Sequence, residues 1–480
     1  MSTDLSSRRG KSRHRRSRAF VGAFAVVVAV LGAIGLGGAA LTTVQGPRVT
    51  ATQFDPDAAV NSSGSRMIFT TTQSLNEVDP SQVTVTPATE VTVDTAGRSV
   101  GLRFAQPLWD DTTYTVRIDG VSGLGGGPSA TIEYRVTTPP LEVYILERAE
   151  GGEDTIFRSD LAGDAAVPVF RHAHIEDFRA TASHLVVATA DDDGHSHLIV
   201  TDLDGEGARD LPLPGEGMVT DLQSADRGNL VGYTFTDADI GADGGRESAL
   251  FTASLSASQA GTPPTAIERT GGDSRVDDWR FVPGTDTLLM LTFDGALTLV
   301  SAPDASGAAA DPVALGNAVS IDGIARGSTV AIVERADGPI AIDLATAEEE
   351  PVAATDPALG QASSVMALAD GSTLRLLTRL DADGVTVEQT SAVVIDAEGE
   401  PVRTVFTVGA DDALLHACIS PSGRYAALLI APDAVDNPYD GYALPLPQRL
   451  QTHVVSLADG EEVVALRGFD ISWCQAAPRV

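Results

Sequence analysis

The segments Ile156-Phe-Arg-Ser-Asp160-Leu161 and Leu198-Ile-Val-Thr-Asp202-Leu203 show the pattern that decides how most of this chain folds. Three or four mostly apolar residues lead to Asp or Ser, often to Leu, and then to a turn. A second apolar run precedes each copy. Short β-branched runs broken by Gly, Asp and Pro are typical of strands rather than of helical repeats. The Asp or Ser marker recurs at positions 160, 202, 254, 301, 343, 396 and 456.

Four short strands in roughly 50 residues form the unit of a β-propeller. We therefore predict an all-β fold with a propeller of about seven blades over residues 141–480. The segment Phe469-Asp-Ile-Ser-Trp-Cys474 has the pattern of an inner strand. We predict that it pairs with strands at 141–171 and closes the ring, because closure removes exposed strand edges.

Two units of this region resemble known propellers. Ile419-Ser-Pro-Ser-Gly-Arg-Tyr-Ala426 resembles the turn motif of TolB-like and WD-repeat propellers, and Phe281-Val-Pro-Gly-Thr-Asp286 is a looser copy. The WD dipeptide and the kelch glycine pairs are missing. The resemblance therefore implies a propeller and leaves its subfamily open.

The chain has two cysteines, Cys418 and Cys474. We place Cys418 at the beginning of an inner strand, so that ring closure would bring the two sulfur atoms together. We predict a disulfide that attaches the last blade to the first, and two buried free thiols are the alternative. The spacing does not fit a structural zinc site, which needs Cys and His residues in closely spaced pairs.

Residues 48–138 alternate apolar and polar side chains in short runs, which predicts half-buried antiparallel strands and a small β-sandwich. The stretch from Gly101 to Gly126, followed by residues 132–140, resembles the bacterial Ig-like domain of S-layer proteins (SbsA-type). This resemblance implies a spacer or adhesion module without catalytic residues, in which Tyr114 packs in the core. The residues that fit the family's pattern are Phe104, Pro107, Leu108, Tyr114 and Val116.

The first residues predict a membrane anchor. Residues 19–44 are uncharged and mostly apolar, and as a helix they would be about 39 Å long, which is enough to cross a bilayer. Seven basic residues within 1–18 predict a cytoplasmic tail and an extracytoplasmic body. The alternative is a cleaved signal peptide, whose apolar region usually has about 7–15 residues. Gly38-Ala39-Ala40 is a passable cleavage site.

The charge of the chain limits its partners. Its formal net charge is −34, and only one of its 66 acidic residues lies within 1–18, so the body is more acidic still. Such a body repels nucleic acid, and we expect the lipid bilayer to be contacted through the helix alone. Lys11 is the only lysine, a bias typical of high-GC genomes. Together with the anchor, this bias makes the chain resemble an actinobacterial envelope protein.

Two groups of residues are candidate metal ligands. Alternate residues of a strand share a face, so each His-x-His pair could hold a metal. An acidic loop offers several oxygens for calcium, although its spacing is not that of an EF-hand. The alternative for both groups is a solvated loop, and no other cofactor is predicted. The candidates are His172, His174, His195, His197, Asp237, Asp239 and Asp243.

A long insertion, residues 437–447, is the candidate partner-binding loop, because loops on rigid scaffolds often carry recognition. Its candidate residues are Tyr439, Tyr442, Pro445 and Pro447. The alternative is a stiff structural loop.

Motifs of catalysis, such as G-x-S-x-G, a Walker loop or HExxH, are missing from the sequence. We therefore expect a non-catalytic, membrane-anchored scaffold or binding protein that presents its propeller to an envelope protein or a cell-wall polymer. The alternatives are a propeller-fold hydrolase that acts on glycans and a calcium-dependent adhesin.

Overall fold

The structure, a computed structural model, describes residues 24, 27–31, 46–163, 166–225, 230–241, 244–269, 271–302 and 311–478. Phe24 and residues 27–31 are helical, and the rest of the predicted tail and anchor lies outside the described residues. Within the described part of the chain, no helix is both long and apolar enough to cross a membrane.

The chain forms two compact units, and the first comprises residues up to 55, 66–103 and 113–136. It contains two antiparallel sheets. The first sheet has, in spatial order, β1 (Val49–Gln53), β2 (Arg66–Thr71), β5 (Ser99–Phe104) and β4 (Val91–Ala96). The second has β3 (Val83–Thr86), β6 (Thr113–Val121) and β7 (Ala130–Thr137). A one-turn 3-10 helix, Pro80–Gln82, precedes β3.

The alternation of apolar and polar residues makes each sheet of the first unit two-sided, as predicted. Met67 and Phe69 of β2 are fully buried, whereas the residues between and beside them are partly exposed. Across the two sheets, the ring centroids of Phe69 and Tyr134 lie 5.7 Å apart in an edge-on arrangement. Tyr114 is buried, as the family resemblance implies for a core residue. The apolar faces of both sheets therefore form one sandwich core.

The second unit comprises Pro56–Ser65, Phe104–Thr112 and Thr137–Val480. It contains the short helix α1 (Pro56–Asn61) and one-turn 3-10 helices at Ala257–Gln259, Pro357–Leu359 and Ala434–Asp436. The rest is a series of seven antiparallel sheets, numbered here as blades 1 to 7 in chain order. The domain limits 48–138 and 141–480 stay predictions.

The strands of each blade follow one another in space as they do in sequence. Blade 1 has β8 (Glu142–Glu147), β9 (Asp154–Asp160) and β10 (Val167–His172). Blade 2 has β11 (Ile175–Ala180), β12 (Leu185–Ala190), β13 (Ser196–Thr201) and β14 (Arg209–Leu211). Blade 3 has β15 (Gly217–Ser224), β16 (Leu230–Asp237), β17 (Ala249–Ser254) and β18 (Thr265–Ala266). Blade 4 has β19 (Val276–Phe281), β20 (Thr287–Thr292), β21 (Ala296–Ser301) and β22 (Val313–Asn317).

The last three blades repeat this arrangement. Blade 5 has β23 (Ser320–Ile324), β24 (Val330–Arg335), β25 (Gly338–Asp343) and β26 (Glu348–Pro351). Blade 6 has β27 (Gln361–Ala367), β28 (Thr373–Leu380), β29 (Val387–Ile395) and β30 (Pro401–Gly409). Blade 7 has β31 (Ala413–Ile419), β32 (Tyr425–Ala431), β33 (Gln451–Ser456) and β34 (Glu462–Arg467). Four of the seven sequence markers lie in the third strand of their blade, at positions 254, 301, 343 and 456. The markers at 202 and 396 directly follow that strand, and Asp160 is the last residue of β9 in blade 1.

Neighbouring blades share apolar cores, which explains why the central strands are apolar on both faces. In β32 every residue is buried. Blade 7 also packs back against blade 1, because Leu429 of β32 lies in one apolar cluster with Leu146 and Val187. Other clusters join blades 2 and 3, 3 and 4, 4 and 5, and 6 and 7. This succession of sheets is that of a β-propeller, as predicted from the repeat.

The C-terminal segment is hydrogen-bonded to β8 of blade 1. The N–H of Leu146 donates to the carbonyl of Phe469 at 3.0 Å, and the N–H of Phe469 donates back at 2.9 Å. Further along, the N–H of Ser472 donates to the carbonyl of Tyr144 at 2.9 Å. The predicted pairing of this segment with a strand in 141–171 is therefore present, although it is limited to an isolated bridge because Asp470 has a left-handed φ of 57° that interrupts the extended backbone. Closure of the whole ring by a C-terminal strand stays a prediction.

The predicted disulfide is present, with the Cα atoms of Cys418 and Cys474 5.4 Å apart. Cys418 lies near the end of β31, so its predicted place at the beginning of an inner strand is wrong. The bond joins blade 7 to the segment that pairs with blade 1. It closes a long loop, which restricts the unfolded chain.

Replacing both cysteines, Cys418→Ala with Cys474→Ala, should lower the free energy of unfolding by about 4 kcal/mol, because a loop with a sequence separation of 56 residues is no longer closed. Urea unfolding followed by circular dichroism measures this change. The native chain in the presence of a reductant should move to the midpoint of the variant. An unchanged midpoint in both experiments would contradict the structural role of the bond.

Candidate functional site

Most of the candidate residues lie at one edge of the propeller. In a four-stranded antiparallel sheet, the connection between the second and third strands leaves from the same edge as the connection to the next sheet. We call this edge the loop face. The first His-x-His pair starts at the last residue of β10, where the chain passes from blade 1 to blade 2, and the second spans the end of the β12–β13 connection and the start of β13. The acidic loop follows β16, and the insertion occupies the connection between β32 and β33, residues 432–450.

The insertion is clamped onto buried charged groups of blades 1 and 2. The side chain of Arg148 donates to Asp440 Oδ2 at 2.8 Å and to the carbonyl of Leu444 at 3.0 Å. The carboxylate of Glu176 accepts from the N–H of Ala443 at 3.0 Å and from that of Leu444 at 3.3 Å. Charged groups on both blades therefore fix the conformation of a loop that has little regular structure of its own.

Tyr442 is the anchor of the insertion. Its hydroxyl lies 2.8 Å from both carboxylate oxygens of Asp154, a residue with no exposed surface. Its ring packs against that of His174 at a tilt of 33°, with centroids 4.1 Å apart, and the guanidinium carbon of Arg148 lies 3.9 Å from the Tyr442 centroid. Burial raises the pKa of Tyr442, and the hydrogen bond to Asp154 raises it further. The phenol is therefore a neutral donor rather than an acid that loses its proton near neutral pH.

The four candidate residues of this loop point in different directions. Tyr442 is bonded inward and Pro447 is buried, whereas Tyr439 and Pro445 are exposed. Tyr439 and Pro447 form an isolated β-bridge, which narrows the loop at its base. Of the four, Tyr439 and Pro445 are therefore the ones that a partner could reach.

The first histidine pair does not aim its two rings at one point, and the second pair aims both rings at a carboxylate oxygen of Asp191. The N–H of His174 donates to His172 Nδ1 at 3.1 Å, whereas His174 Nε2 lies 2.6 Å from Glu176 Oε1. His195 and His197 both approach the carboxylate of Asp191, at 3.9 and 3.4 Å. Within the described residues, no group of three or more His, Cys, Asp or Glu side chains is arranged to hold a metal ion.

The acidic loop is organised by an ion pair. Arg246 donates to Asp237 Oδ1 at 2.6 Å, and this hydrogen bond lowers the pKa of Asp237. The carboxylate is therefore occupied by a guanidinium. Asp239 follows in the same connection, and Asp243 lies outside the described residues.

A cavity of about 420 Å³ lies beside the insertion, between blades 1 and 7. Its wall includes Arg148, Asp440 and Tyr442 of the clamp, together with Phe469 of the C-terminal segment and the exposed Glu150. It combines two aromatic rings with charged and polar groups, a mixture found in sites that recognise polar ligands or side chains.

The first strands of blades 4 to 7 line a second cavity of about 110 Å³. One carboxylate, that of Asp322, is among its described lining. Burial raises the pKa of Asp322 to about 6. A hydrogen bond from the N–H of Val365 favours the charged form and opposes this rise. Asp322 is therefore a partly buried acid whose pKa lies near 6.

A cluster of three charged side chains, those of Arg179, Asp177 and Asp470, is buried. Arg179 lies 2.9 Å from Asp177 and 2.6 Å from Asp470 of the C-terminal segment. Burial raises the pKa of Asp177 well above its ordinary value, and the negative charge of Asp470 adds to the rise while Arg179 opposes it. The guanidinium of Arg179, placed between two carboxyl groups, therefore attaches the C-terminal segment to β11 of blade 2, in addition to the backbone hydrogen bonds with β8.

The clamp depends on Arg148 and Asp154, and neither was predicted from the sequence. The available signal was weak: Arg148 directly follows one apolar strand and Asp154 begins the next, and charged residues at such places are common in this chain. The function of Glu176 as the acceptor for two backbone N–H groups of the insertion appears only in the structure.

No known family model matches this sequence, and no curated protein does. Solved structures with a similar arrangement include a protein provisionally assigned as a 6-phosphogluconolactonase from Bacteroides fragilis, with 12% identity, 69% of this chain and 96% of that chain covered, and a TM-score of 0.43. The β-propeller domain of Swd1 from Myceliophteria thermophila has 12% identity over 61% of this chain and 89% of its own, with a TM-score of 0.37.

A third structure, provisionally assigned as TolB from Agrobacterium tumefaciens, has 12% identity over 68% of this chain and 90% of its own, with a TM-score of 0.33. With TM-scores below 0.5, these similarities say nothing about what this chain binds or catalyses. The propeller assignment rests on the order and packing of the blades.

The change Tyr442→Phe should lower the free energy of unfolding by about 1–3 kcal/mol, because buried Asp154 loses a hydrogen-bond donor. Chemical unfolding at pH 7 measures this change. Tyr439→Phe is the matched control, since the Tyr439 side chain is exposed, and it should change stability by less than about 0.5 kcal/mol. Equal effects of the two changes would show that the insertion is not clamped through Tyr442.

The change Asp322→Asn should remove part of the pH dependence of stability. The folded chain keeps the Asp322 proton up to a pH of about 6, whereas the unfolded chain releases it near its ordinary pKa of 3.8. The contribution of Asp322 to the free energy of unfolding is therefore fully present below pH 4 and is lost as the pH rises through 6. Relative to the native chain, the variant should gain roughly 2–3 kcal/mol between pH 4 and pH 8.

Urea unfolding at several pH values measures this difference. Asp286→Asn is the control, because Asp286 is exposed, and its difference from the native chain should stay flat over the same range. A flat difference for Asp322→Asn as well would show that the carboxyl group has its ordinary pKa.

Proposed function

We propose that this chain is a membrane-anchored extracytoplasmic scaffold or binding protein whose propeller presents its loop face to an envelope protein or a cell-wall polymer. Residues 19–44 would anchor it, with the N-terminus in the cytoplasm, and the sandwich of SbsA type would act as a spacer. An actinobacterial envelope is the setting that the composition favours.

The disulfide supports export of the propeller. The bond between Cys418 and Cys474 lies within blade 7 and the segment beside blade 1. Disulfides persist in oxidising compartments and are rare in the cytosol. The basic residues before position 19 support the same orientation through the positive-inside rule.

The observation that carries the binding proposal is the distribution of exposed apolar side chains. Six large apolar residues on loop-face connections are each more than half exposed, and Val435, just before the insertion, reaches 93%. Single exposed apolar residues are common, but their repetition at one edge indicates an interaction surface. The six are Ile240, Phe293, Val319, Val385, Val435 and Tyr439.

The two alternatives have less support. A glycan hydrolase of the usual kind needs two carboxyl groups on either side of the bond to be cleaved. The small cavity beside the first strands contributes Asp322 alone from its described lining. A calcium-dependent adhesin would need free oxygens in the acidic loop, where Asp237 is bonded to Arg246.

The test is crosslinking in intact cells that express the full chain, followed by pull-down and identification of the captured molecules. We expect a specific partner whose recovery falls at least tenfold in the double variant Val435→Asp with Tyr439→Asp, because charges interrupt an apolar contact. The matched control is Val402→Asp, an exposed change in the outer strand of blade 6. Membrane fractions and protease accessibility of the intact cells would test the anchor and the orientation.

Recovery of the same molecules with the native chain, the double variant and the control would contradict the loop-face proposal. Recovery of the chain in the cytosolic fraction, protected from external protease with the disulfide reduced, would contradict the anchored extracytoplasmic setting.

A further inference from the structure

The junction between blades 5 and 6 holds an open groove of about 1030 Å³. At the other junctions, apolar clusters join the facing blades. Here, a small cluster of Leu377, Val393 and Ile395 belongs to blade 6, with Leu359 of the preceding connection packed against it. The blades thus leave a space of the size that small-molecule sites occupy.

Most of the surface of this groove is apolar, but three arginines also line it. Two of the arginines have carboxylate partners: Arg335 lies 2.5 Å from Glu349, and Arg379 lies 2.8 Å from Glu388. The apolar part of the wall comes from Pro339, Ile340, Pro351, Val352, Pro357 and Leu380.

The third arginine, Arg375, is different because it is only 2% exposed and is bonded to hydroxyl groups. Its Nε donates to Thr373 Oγ1 at 2.9 Å, and its Nη1 donates to Thr355 Oγ1. Within the described residues, no carboxylate pairs with it and its Nη2 makes no hydrogen bond. Burial lowers the pKa of Arg375, and no nearby negative charge opposes this effect.

A buried guanidinium without a counter-ion is unfavourable, and buried charges in proteins are normally paired. The chain has 66 acidic residues against 32 basic ones, so carboxylates for an internal pair are abundant. Threonine hydroxyls orient the guanidinium from two sides without neutralising it. The remaining N–H groups are left to meet an anion in the groove.

We propose that the groove between blades 5 and 6 binds a small amphiphilic carboxylate, whose carboxylate group pairs with Arg375 and whose apolar part contacts the proline-rich wall. A planar carboxylate matches the guanidinium fork. One unpaired cation balances a monoanion, whereas a phosphate monoester carries close to two negative charges at pH 7. The lining of this groove includes none of the six exposed apolar residues of the proposed function, and neither proposal depends on the other.

The test is calorimetric titration of the full chain with hexanoate, and with 1-hexanol and hexyl phosphate as head-group controls. We expect one saturable site for hexanoate with a dissociation constant of about 1 mM or lower. Binding of 1-hexanol should be at least tenfold weaker, because it cannot pair with the guanidinium. Binding of hexyl phosphate should be no tighter than that of hexanoate.

Two variants assign the site to Arg375. In Arg375→Met, binding of hexanoate should weaken at least tenfold while the melting temperature stays equal or rises, since an unpaired buried charge is removed. Thr355→Val removes one orienting hydroxyl without removing the charge, and it should weaken binding by a smaller factor; it also serves if Arg375→Met does not fold. Arg379→Gln is the matched control in the same groove, and it should change binding less than threefold because Glu388 already neutralises Arg379.

Three results would overturn the proposal: no heat of binding with hexanoate, an affinity unchanged by both Arg375→Met and Thr355→Val, or an equal loss in Arg379→Gln. Tenfold tighter binding of hexyl phosphate would overturn the assignment to a carboxylate. Because the measurement uses purified chain and a small molecule, these results are distinct from a failure of partner capture in cells.

Discussion

The hydrogen bonds between Phe469 and Leu146 attach the C-terminal segment to blade 1, and much of the second unit depends on this attachment. Without them, β8 would have an unpaired edge beside the packed core, where orphaned backbone groups are costly. Two further links hold the same segment: the ion pair from Arg179 to Asp470 and the disulfide from Cys474 to Cys418. Hydrogen bonds, buried charge and a covalent bond therefore act at one place.

Buried charge is used in two ways in this chain. At the C-terminal attachment and at the insertion clamp, each buried arginine meets a carboxylate, and these pairs hold segments that are far apart in sequence. At the groove between blades 5 and 6, Arg375 meets hydroxyl groups instead. Removing one partner of a buried pair is strongly destabilising, so each pair fixes where its two segments lie, whereas Arg375 has no such partner among the described residues.

The insertion shows how far sequence reasoning reaches. Its length, prolines and tyrosines marked it as unusual, and two alternatives were open, a recognition loop or a stiff structural loop. The structure contains elements of both, because Tyr442 is bonded to Asp154 while Tyr439 is exposed. These two tyrosines are three residues apart in similar sequence surroundings. Asp154 is separated from Tyr442 by 288 residues, so no local pattern could tell them apart.

The sequence by itself determined the strand repeat, the number of sheets and the two-sided sandwich, because these follow from local alternation and turn residues. It also determined which cysteines could pair, since there are only two. Only the tertiary structure decided that the ring of His174 contacts Glu176 and does not join His172 in a metal site. It also decided that Asp237 pairs with Arg246, and that Arg375 is buried without a carboxylate partner among the described residues. The reason is physical: the free energy of a buried charged group depends on neighbours that packing brings from distant strands, and these neighbours are not encoded near it in the chain.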